Sequence, residues 1–249
     1  MSRGVLVTGA SRGIGRAVAV AFAATGARVA VHYNADAAAA EETRGLLAGD
    51  GHVVLRADLA EPAEVRALVD TAAERLGRLD VLVNNAGVYV EHPVASVSYD
   101  AWQAAWQRTL ATNLLGAANA CFCAVPHLRA AGGGAIVNVS SRGAFRGEPD
   151  HPAYAASKAG LNALGQSLAV ALAPFGISVG TVAPGFVDTD MAAPFLAGTE
   201  GEALRAQSPF GRVARPEEVA HAVLFLASPE AAFTSGTIVD VNGASYLRS

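Results

Sequence analysis

The length and composition of the chain limit what the protein can be. It has 249 residues, of which 52% are hydrophobic, and its formal net charge is −4. This hydrophobic content predicts a compact core rather than disorder, and an acidic balance with scattered Lys and Arg argues against nucleic acid as a partner. One α/β fold can occupy this length, so we expect a single dinucleotide-binding and catalytic domain over residues 1–249.

Cysteine usage and the N-terminal sequence predict a cytoplasmic protein. Cys121 and Cys123 lie two positions apart on a helical segment, a spacing that suits neither a metal site nor a disulfide. The N-terminus passes directly from Arg3 into an apolar run and a glycine motif, with no signal-peptide pattern. The longest uncharged stretch, 109–126, contains asparagines and a glycine, so we interpret it as a buried helix and expect no membrane role.

Short β-branched runs alternate with longer segments of helical period along the chain. The runs do not alternate strictly between apolar and polar residues, which is typical of parallel strands buried on both faces and joined by right-handed helical crossovers. The sequence therefore predicts a doubly wound, Rossmann-type α/β fold, a seven-stranded parallel sheet with helices on both faces. The predicted strands are Val5–Val7, Arg28–His32, Val53–Ala57, Val81–Asn84, Ala135–Ser140, Ser178–Ala183 and Ile238–Val241.

A glycine-rich segment, Thr8 to Gly15, follows the first predicted strand, and a helical run begins at Arg16. Glycines there permit a tight turn and let a pyrophosphate approach backbone N–H groups at a helix N-terminus. The segment predicts a dinucleotide site, the alternative being a purely structural turn. The cap segment, residues 186–208, follows the sixth strand and is expected to cover a site, the alternative being a surface loop.

The end of the second predicted strand bears on the choice of nicotinamide cofactor. An acidic residue about 20 positions beyond the glycines would bind the ribose 2′-hydroxyl of NAD, but this strand ends in Val31-His32-Tyr33-Asn34. Arg12 could instead pair with a 2′-phosphate. The sequence thus predicts NADPH over NADH, although Asp36 lies close enough to keep NADH open.

A tyrosine and a lysine form the candidate chemical centre. Tyr154 and Lys158 are spaced i, i+4, which places them on one helix face. A phenol titrates near pH 10 in water, roughly, so as a general acid or base it needs a nearby cation. Ser141 follows the fifth strand, 13 residues before Tyr154. The Tyr–Lys pair alone also occurs on ordinary amphipathic helices.

Together these motifs resemble the short-chain dehydrogenase/reductase family over nearly the whole chain. The glycine spacing G-x-x-x-G-x-G, the Asn84-Asn85-Ala86-Gly87 motif and the Ser…Tyr-x-x-x-Lys arrangement carry the resemblance. It is closest to the 3-oxoacyl-(acyl-carrier-protein) reductase branch, on Gly185-Phe186 and the Val241-Asn242-Gly243 ending. The resemblance implies an oxidoreductase that moves hydride between a nicotinamide cofactor and a carbonyl or alcohol substrate.

The resemblance also implies a role for each site residue. Tyr154 would protonate the carbonyl oxygen and Ser141 would polarise it. Lys158 would lower the pKa of the tyrosine and hold the nicotinamide ribose. Asn113 would hold a water linked to the lysine, or would merely satisfy a kinked helix. The implied cofactor contacts are Gly9, Ser11, Arg12, Gly13, Ile14, Gly15, Tyr33, Asn34, Asp58, Leu59, Asn85, Ala86, Gly87, Tyr154, Lys158, Pro184, Gly185, Val187 and Thr189, and no metal site is predicted.

The expected partner is a small-molecule carbonyl or alcohol. An acyl carrier protein is doubtful, because Gly132-Gly133-Gly134 and Pro174-Phe175-Gly176 lack the basic residues that would dock it, with only Arg129 nearby. Selectivity should lie in 142–152, Phe186 and 191–204, where Arg142 and Arg146 could meet an anionic substrate or simply be solvated.

Two alternatives and one assembly state complete these expectations. The chain could be a 3-oxoacyl-(acyl-carrier-protein) reductase, or a nucleotide sensor or scaffold without turnover, since a fold does not fix a function. The resemblance implies a homotetramer that pairs the helices carrying Asn113 and Tyr154.

Overall fold

The computed structural model describes residues 2–196 and 198–248, and within them seven strands form one parallel sheet. Their spatial order is β3-β2-β1-β4-β5-β6-β7, so the sheet winds outward in both directions from β1 and β4. The predicted doubly wound fold is confirmed. The strands are β1 Gly4–Val7, β2 Arg28–Tyr33, β3 Val53–Arg56, β4 Val81–Asn84, β5 Gly134–Val139, β6 Ile177–Pro184 and β7 Ile238–Val241.

Helices connect the strands and cover both faces of the sheet. Ten α-helices are assigned in the described residues: α1 Gly13–Ala24, α2 Ala37–Gly45, α3 Pro62–Leu76, α4 Tyr99–Leu110, α5 Ala117–Ala130, α6 Gly143–Arg146, α7 Pro152–Leu172, α8 Ala193–Leu196, α9 Gly198–Ala206 and α10 Pro216–Leu226. A π-helical turn, Ala111–Gly116, joins α4 to α5, and 3₁₀ turns span Ala173–Phe175 and Pro229–Thr234.

The core has one layer on each side of the sheet. In β1, Val5 and Val7 face the layer that contains α1 and α10, while Leu6 faces the layer that contains α3 and α5. All three side chains are fully buried, and burying one such side chain contributes about 2 kcal/mol. Both faces of the central strands must therefore be apolar, which is why these runs lack the apolar–polar alternation of a one-sided strand.

The segment 109–126, interpreted from sequence as a core helix, lies within a continuous helix of 32 residues, Tyr99–Ala130. By length and composition this helix could cross a membrane, although 39% of its most apolar window is buried inside the fold. Its inner face packs on α3 and the sheet through Cys121, Ala124 and Leu128. These three side chains thus contribute to the core, while Leu115 and Phe122 of the same helix are exposed.

The cap segment contains secondary structure rather than an irregular loop. It carries α8 and α9, with Ala197 between them lying outside the described residues. A parallel bridge from Val187 to Ala214 ties its start to the chain before α10. These helices place the cap segment beside the carboxyl ends of β5 and β6.

Candidate active site

A cleft of about 690 Å³ lies at the carboxyl ends of the strands. In open parallel sheets this edge, where the strand order reverses, is where ligands bind. Every cofactor contact implied by the sequence lines the cleft, and so do Ser141, Tyr154 and Lys158. Asn113 does not line it and lies buried behind it. The chain thus brings distant motifs into one cavity of ligand size.

The glycine loop between β1 and α1 has the geometry of a phosphate cradle. Gly9 and Gly13 adopt left-handed backbone conformations, with φ of +63° and +54°. A Cβ on Gly15 would overlap the carbonyl oxygen of Gly9, and one on Gly9 would lie 2.8 Å from the Cα of Ala86. The loop therefore has no room for side chains at these two positions, and it lies at the N-terminus of α1, where the helix dipole favours an anion. These residues fit the pyrophosphate of a nicotinamide dinucleotide.

Hydrogen bonds hold the glycine loop from the neighbouring strand ends. Asn85 donates to the carbonyl oxygens of Thr8 and Gly9 at 2.8 and 3.0 Å. The hydroxyl of Thr8 accepts the backbone N–H groups of Asn85 and Ala86 at 2.9 and 3.1 Å. The polar residues of the Asn84-Asn85-Ala86-Gly87 motif thereby fix the loop before any ligand contacts it.

His32, which the sequence analysis did not single out, holds the other side of the loop. Its Nδ1 accepts the N–H of Gly9 at 2.9 Å, and its Nε2 lies 3.1 Å from the carbonyl oxygen of Ala57, so the proton belongs on Nε2. Burial lowers the pKa of His32 to about 4, which keeps the ring neutral. A polar residue at the end of an otherwise apolar strand was the sequence signal that could have revealed it.

Charged groups near the ribose end of the cleft differ in their availability. Asp36 caps α2, where its Oδ1 accepts the N–H of Ala39 at 2.9 Å. Arg16 is held by Glu42 and by the carbonyl oxygen of Ser11. Arg12, in contrast, is 64% exposed and has one ion pair among the described residues, at 3.8 Å to Asp190. Arg12 is therefore the cation with the most freedom to meet a ligand there.

Ser141, Tyr154 and Lys158 meet where β5 approaches α7. The Oγ of Ser141 accepts the N–H of Gly143 at 3.0 Å, which leaves its own O–H free to donate. Burial raises the pKa of Tyr154 to about 12, and a hydrogen bond with Ser141 opposes that rise. Lys158 donates to the carbonyl oxygen of Val139 at 2.8 Å, and burial lowers its pKa to about 8.

The distance between Lys158 and Tyr154 bears on the role that was expected of the lysine. Lys158 was expected to lower the pKa of Tyr154, and its Nζ lies 5.7 Å from the centre of the tyrosine ring. Burial raises the pKa of Tyr154, and the hydrogen bond with Ser141 is the contribution that lowers it. A phenol in this state holds its proton at neutral pH.

Asn113 lies in the π-helical turn, a feature frequent at functional sites. Its amide pairs with both backbone groups of Val88: Oδ1 accepts the N–H at 2.8 Å and Nδ2 donates to the carbonyl oxygen at 3.0 Å. Nδ2 also lies 3.2 Å from the Oγ of Ser157, whose hydroxyl donates to the carbonyl oxygen of Tyr154 at 2.7 Å. Asn113 therefore links the segment after the Asn-Asn-Ala-Gly motif to the start of α7.

An aromatic wall, formed by Tyr89, His151 and Phe195, flanks Tyr154. The rings of Tyr89 and His151 stack with centroids 3.6 Å apart, and Tyr89 meets Tyr154 edge-on at 4.7 Å. Phe195 of α8 packs edge-on against Tyr89 at 5.8 Å. Sequence reasoning assigned selectivity to the ranges holding His151 and Phe195 but missed Tyr89, whose only signal was its position just after the Gly87 motif.

The comparisons with known proteins agree with this geometry. A family model described as enoyl-(acyl carrier protein) reductase matches residues 9–244. Cis-4-hydroxycyclohexanecarboxylate dehydrogenase of Sinomonas cyclohexanicum is 42% identical over 243 residues, 97% of this chain and 95% of that protein. A 3-oxoacyl-(acyl-carrier-protein) reductase of Staphylococcus aureus is 36% identical over 249 residues, 99% of each. A solved structure described as a short-chain alcohol dehydrogenase of Sinorhizobium meliloti 1021 has 35% identity and a TM-score of 0.90, and the match covers 98% of this chain and 97% of that one.

The fold and the cleft define an oxidoreductase that uses a nicotinamide cofactor. The extent of these matches shows that the chain belongs to the short-chain dehydrogenase/reductase family, as its motifs predicted.

Proposed function

We propose that the protein is an NADPH-preferring ketoreductase of small molecules in which Tyr154 is the general acid. The observation that carries this proposal is the position of Tyr154, half-buried beside Ser141 in the cleft that holds the glycine loop. Burial raises the pKa of Tyr154 to about 12, so the phenol carries the proton that a carbonyl oxygen would receive.

The residues of this chain would divide the work as follows. When bound, the chemistry that a reduced nicotinamide would supply is hydride transfer to the carbonyl carbon. The O–H of Ser141 would turn to the carbonyl oxygen of the substrate, donate a hydrogen bond to it and orient it, while Tyr154 delivers the proton. Lys158 keeps a positive charge below the tyrosine and holds the cofactor ribose, and Asn113 positions the start of α7 through Ser157.

Two observations support NADPH over NADH. The exposed guanidinium of Arg12 lines the cleft beside the glycine loop and is available for a 2′-phosphate. The carboxylate of Asp36, which could instead bind ribose hydroxyls, is engaged as the cap of α2. Titration with both cofactors should give a lower Kd for NADPH, and a lower Kd for NADH would refute the preference.

A free ketone is favoured over a substrate carried by an acyl carrier protein. The guanidinium of Arg129, the basic group nearest to the expected docking stretches, stacks over the ring of Phe175 at 4.2 Å. We further propose that the chain works as one domain covered by the cap segment, in the cytoplasm and as a homotetramer. The two unpaired cysteines support the cytoplasmic location.

The test follows NADPH and NADH oxidation by the purified protein against ketones, diketones, quinones and 3-oxoacyl thioesters. The panel includes 4-oxocyclohexanecarboxylate because of the relative that acts on the corresponding hydroxy acid. Tyr154→Phe should lower kcat by about 1,000-fold or more, with the Kd for NADPH changed less than about twofold. Tyr99→Phe, at an exposed position of α4, is the matched control and should keep full activity.

The outcomes separate the candidate functions. Retained turnover in Tyr154→Phe would remove the tyrosine from its proposed role. Turnover of acyl-carrier-protein thioesters alone would favour the carrier-dependent reductase. Cofactor binding without turnover of any substrate would favour the sensor or scaffold.

A further inference from the structure

The side chain of Arg142 is a buried cation at the border of the cleft. The residue directly follows Ser141 in the chain and is only 3% exposed. It lines the main cleft and also a second cavity of about 260 Å³ on the far side of Phe186. A guanidinium seldom occupies such a position without a partner, because removing its charge from water costs several kcal/mol, roughly.

The contacts of Arg142 leave most of its hydrogen-bonding capacity unused. Among the described residues its side chain makes one hydrogen bond, from Nη1 to the Oγ of Ser245 at 2.6 Å. The guanidinium carbon lies 5.4 Å from the centre of the Phe186 ring. A guanidinium carries five N–H donors in a planar fork that matches a carboxylate, so most of these donors remain for a ligand.

No carboxylate that the structure describes lies within 4 Å of this guanidinium, and the nearby ones are engaged elsewhere. Asp240 pairs with Arg248 at 2.7 Å, and Glu218 pairs with Arg212 at 2.7 Å. The charge of Arg142 therefore has no direct counterion in the part of the chain that is described.

Glu148 also lines the cleft and acts on the guanidinium of Arg142 at a distance, but the two side chains form no ion pair within 4 Å. Its Oε2 lies 3.4 Å from the hydroxyl of Tyr89, and burial raises its pKa while Arg146 and Arg142 oppose that rise. Arg146, at the end of α6, adds a second positive charge. This side of the cleft therefore has an excess of positive charge.

We propose that Arg142 determines specificity by binding a carboxylate on the substrate, so that the enzyme acts on small keto acids or hydroxy acids. This inference rests on the proposed function, because it concerns the substrate of the same cleft. Arg142 would hold the carboxylate while Ser141 and Tyr154 engage the carbonyl, and the aromatic wall would contact the apolar part between them. The charge-assisted pair would fix the orientation of the substrate as well as its affinity.

The test compares each keto acid with its uncharged amide, using 4-oxocyclohexanecarboxylate and 4-oxopentanoate with their amides. The wild type should prefer each acid by at least about tenfold in kcat/KM, the effect expected of one charge-assisted interaction. Arg142→Gln should bring the acid-to-amide ratio close to 1, chiefly by raising KM for the acid, and Arg142→Lys should restore part of the preference.

Two control variants separate recognition from structure. Arg146→Gln removes the same charge from an exposed position on the same loop, where Nη1 contacts Gln207, and should keep the preference. Ser245→Ala removes the tether of Arg142 but not its charge, and should also keep it. A wild type with equal activity on acid and amide, or an Arg142→Gln variant that loses both equally, would overturn the proposal.

Binding measurements keep this proposal separate from the proposed function. Calorimetric titration of the NADPH-loaded protein with each acid and amide should show the same preference whether or not turnover occurs. Reduction of amides without any preference for acids would overturn the role of Arg142 alone. Preferential binding of acids without turnover of any substrate would support Arg142 while refuting the ketoreductase.

Discussion

His32 is a buried titratable residue whose protonation would break the contact that holds the glycine loop. Its neutral Nδ1 accepts the N–H of Gly9. In a protonated ring Nδ1 carries a hydrogen and can no longer accept that N–H. Because burial lowers the pKa of His32 to about 4, against about 6.5 for an unfolded histidine, the unfolded chain binds this proton first on acidification. The contribution of the neutral His32 ring to the free energy of unfolding is fully present above pH 6.5, roughly, and is lost as the pH falls toward 4.

We therefore expect the free energy of unfolding of His32→Gln to depend less on pH below 6.5, roughly, than that of the wild type. The wild-type free energy of unfolding should fall by about 3 kcal/mol more than that of the variant between pH 6.5 and pH 4, roughly. Urea unfolding at a fixed protein concentration measures this difference, and parallel curves for the two proteins would contradict it. A glutamine can still donate and accept, so the variant should fold at pH 7.

Single residues show where the sequence was informative and where it was not. The glycine loop and the Ser…Tyr-x-x-x-Lys motif could be recognised in the sequence, because both depend on residue types at fixed local spacings. The raised pKa of Tyr154 could not be read this way, since it follows from burial that many distant residues create. The uncompensated charge of Arg142 likewise depends on carboxylates more than 70 residues away that pair with other cations.

At the scale of elements, the strands were predictable and the helices of the cap segment were not. Buried strands need apolar side chains on both faces, a pattern visible in the chain, and observed and predicted ends differ by at most one residue. The helices α8 and α9 lie in a segment rich in Gly, Pro, Ala and Thr, whose local preferences favour a loop. Packing of Phe195 against Tyr89 and His151 is a tertiary contact that no local pattern shows.

That packing makes α8 a contributor to substrate binding. Phe195→Ala should raise KM for a cyclic ketone several-fold, because it removes one side of the aromatic wall, and should leave the Kd for NADPH unchanged within about twofold. Phe233→Ala, at a fully exposed position, is the matched control and should keep the wild-type KM. An unchanged KM in Phe195→Ala would show that the cap segment does not contact the substrate.

At the scale of the whole molecule, α5 and α7 expose apolar side chains that a monomer would leave in water. Phe122 and Val170 are 73% and 80% exposed on the two helices that are expected to pair. Exposed apolar residues on neighbouring helices are typical of an interface between subunits.

Sedimentation should therefore show a tetramer for the wild type and a smaller species for Phe122→Glu combined with Val170→Glu. The charges would have to be buried without partners in the assembled form, which costs several kcal/mol, roughly. Leu46→Glu, at an exposed apolar position at the end of α2, is the control and should leave the assembly intact. A monomeric wild type would refute the expectation.

The hydrogen bonds between Thr8 and Asn85 also bear on how the chain acquires its nucleotide site during synthesis. β1 pairs directly with β4, so the first strand waits for a partner 76 residues later, Val5 opposite Val81. Contacts between residues this far apart in the sequence form slowly, because closing the long loop between them costs conformational entropy before the contacts can stabilise the chain. A nascent chain therefore lacks the Asn85 side of its glycine loop until that residue has left the ribosome, and during that interval only β2 and its His32 can hold β1 and the loop.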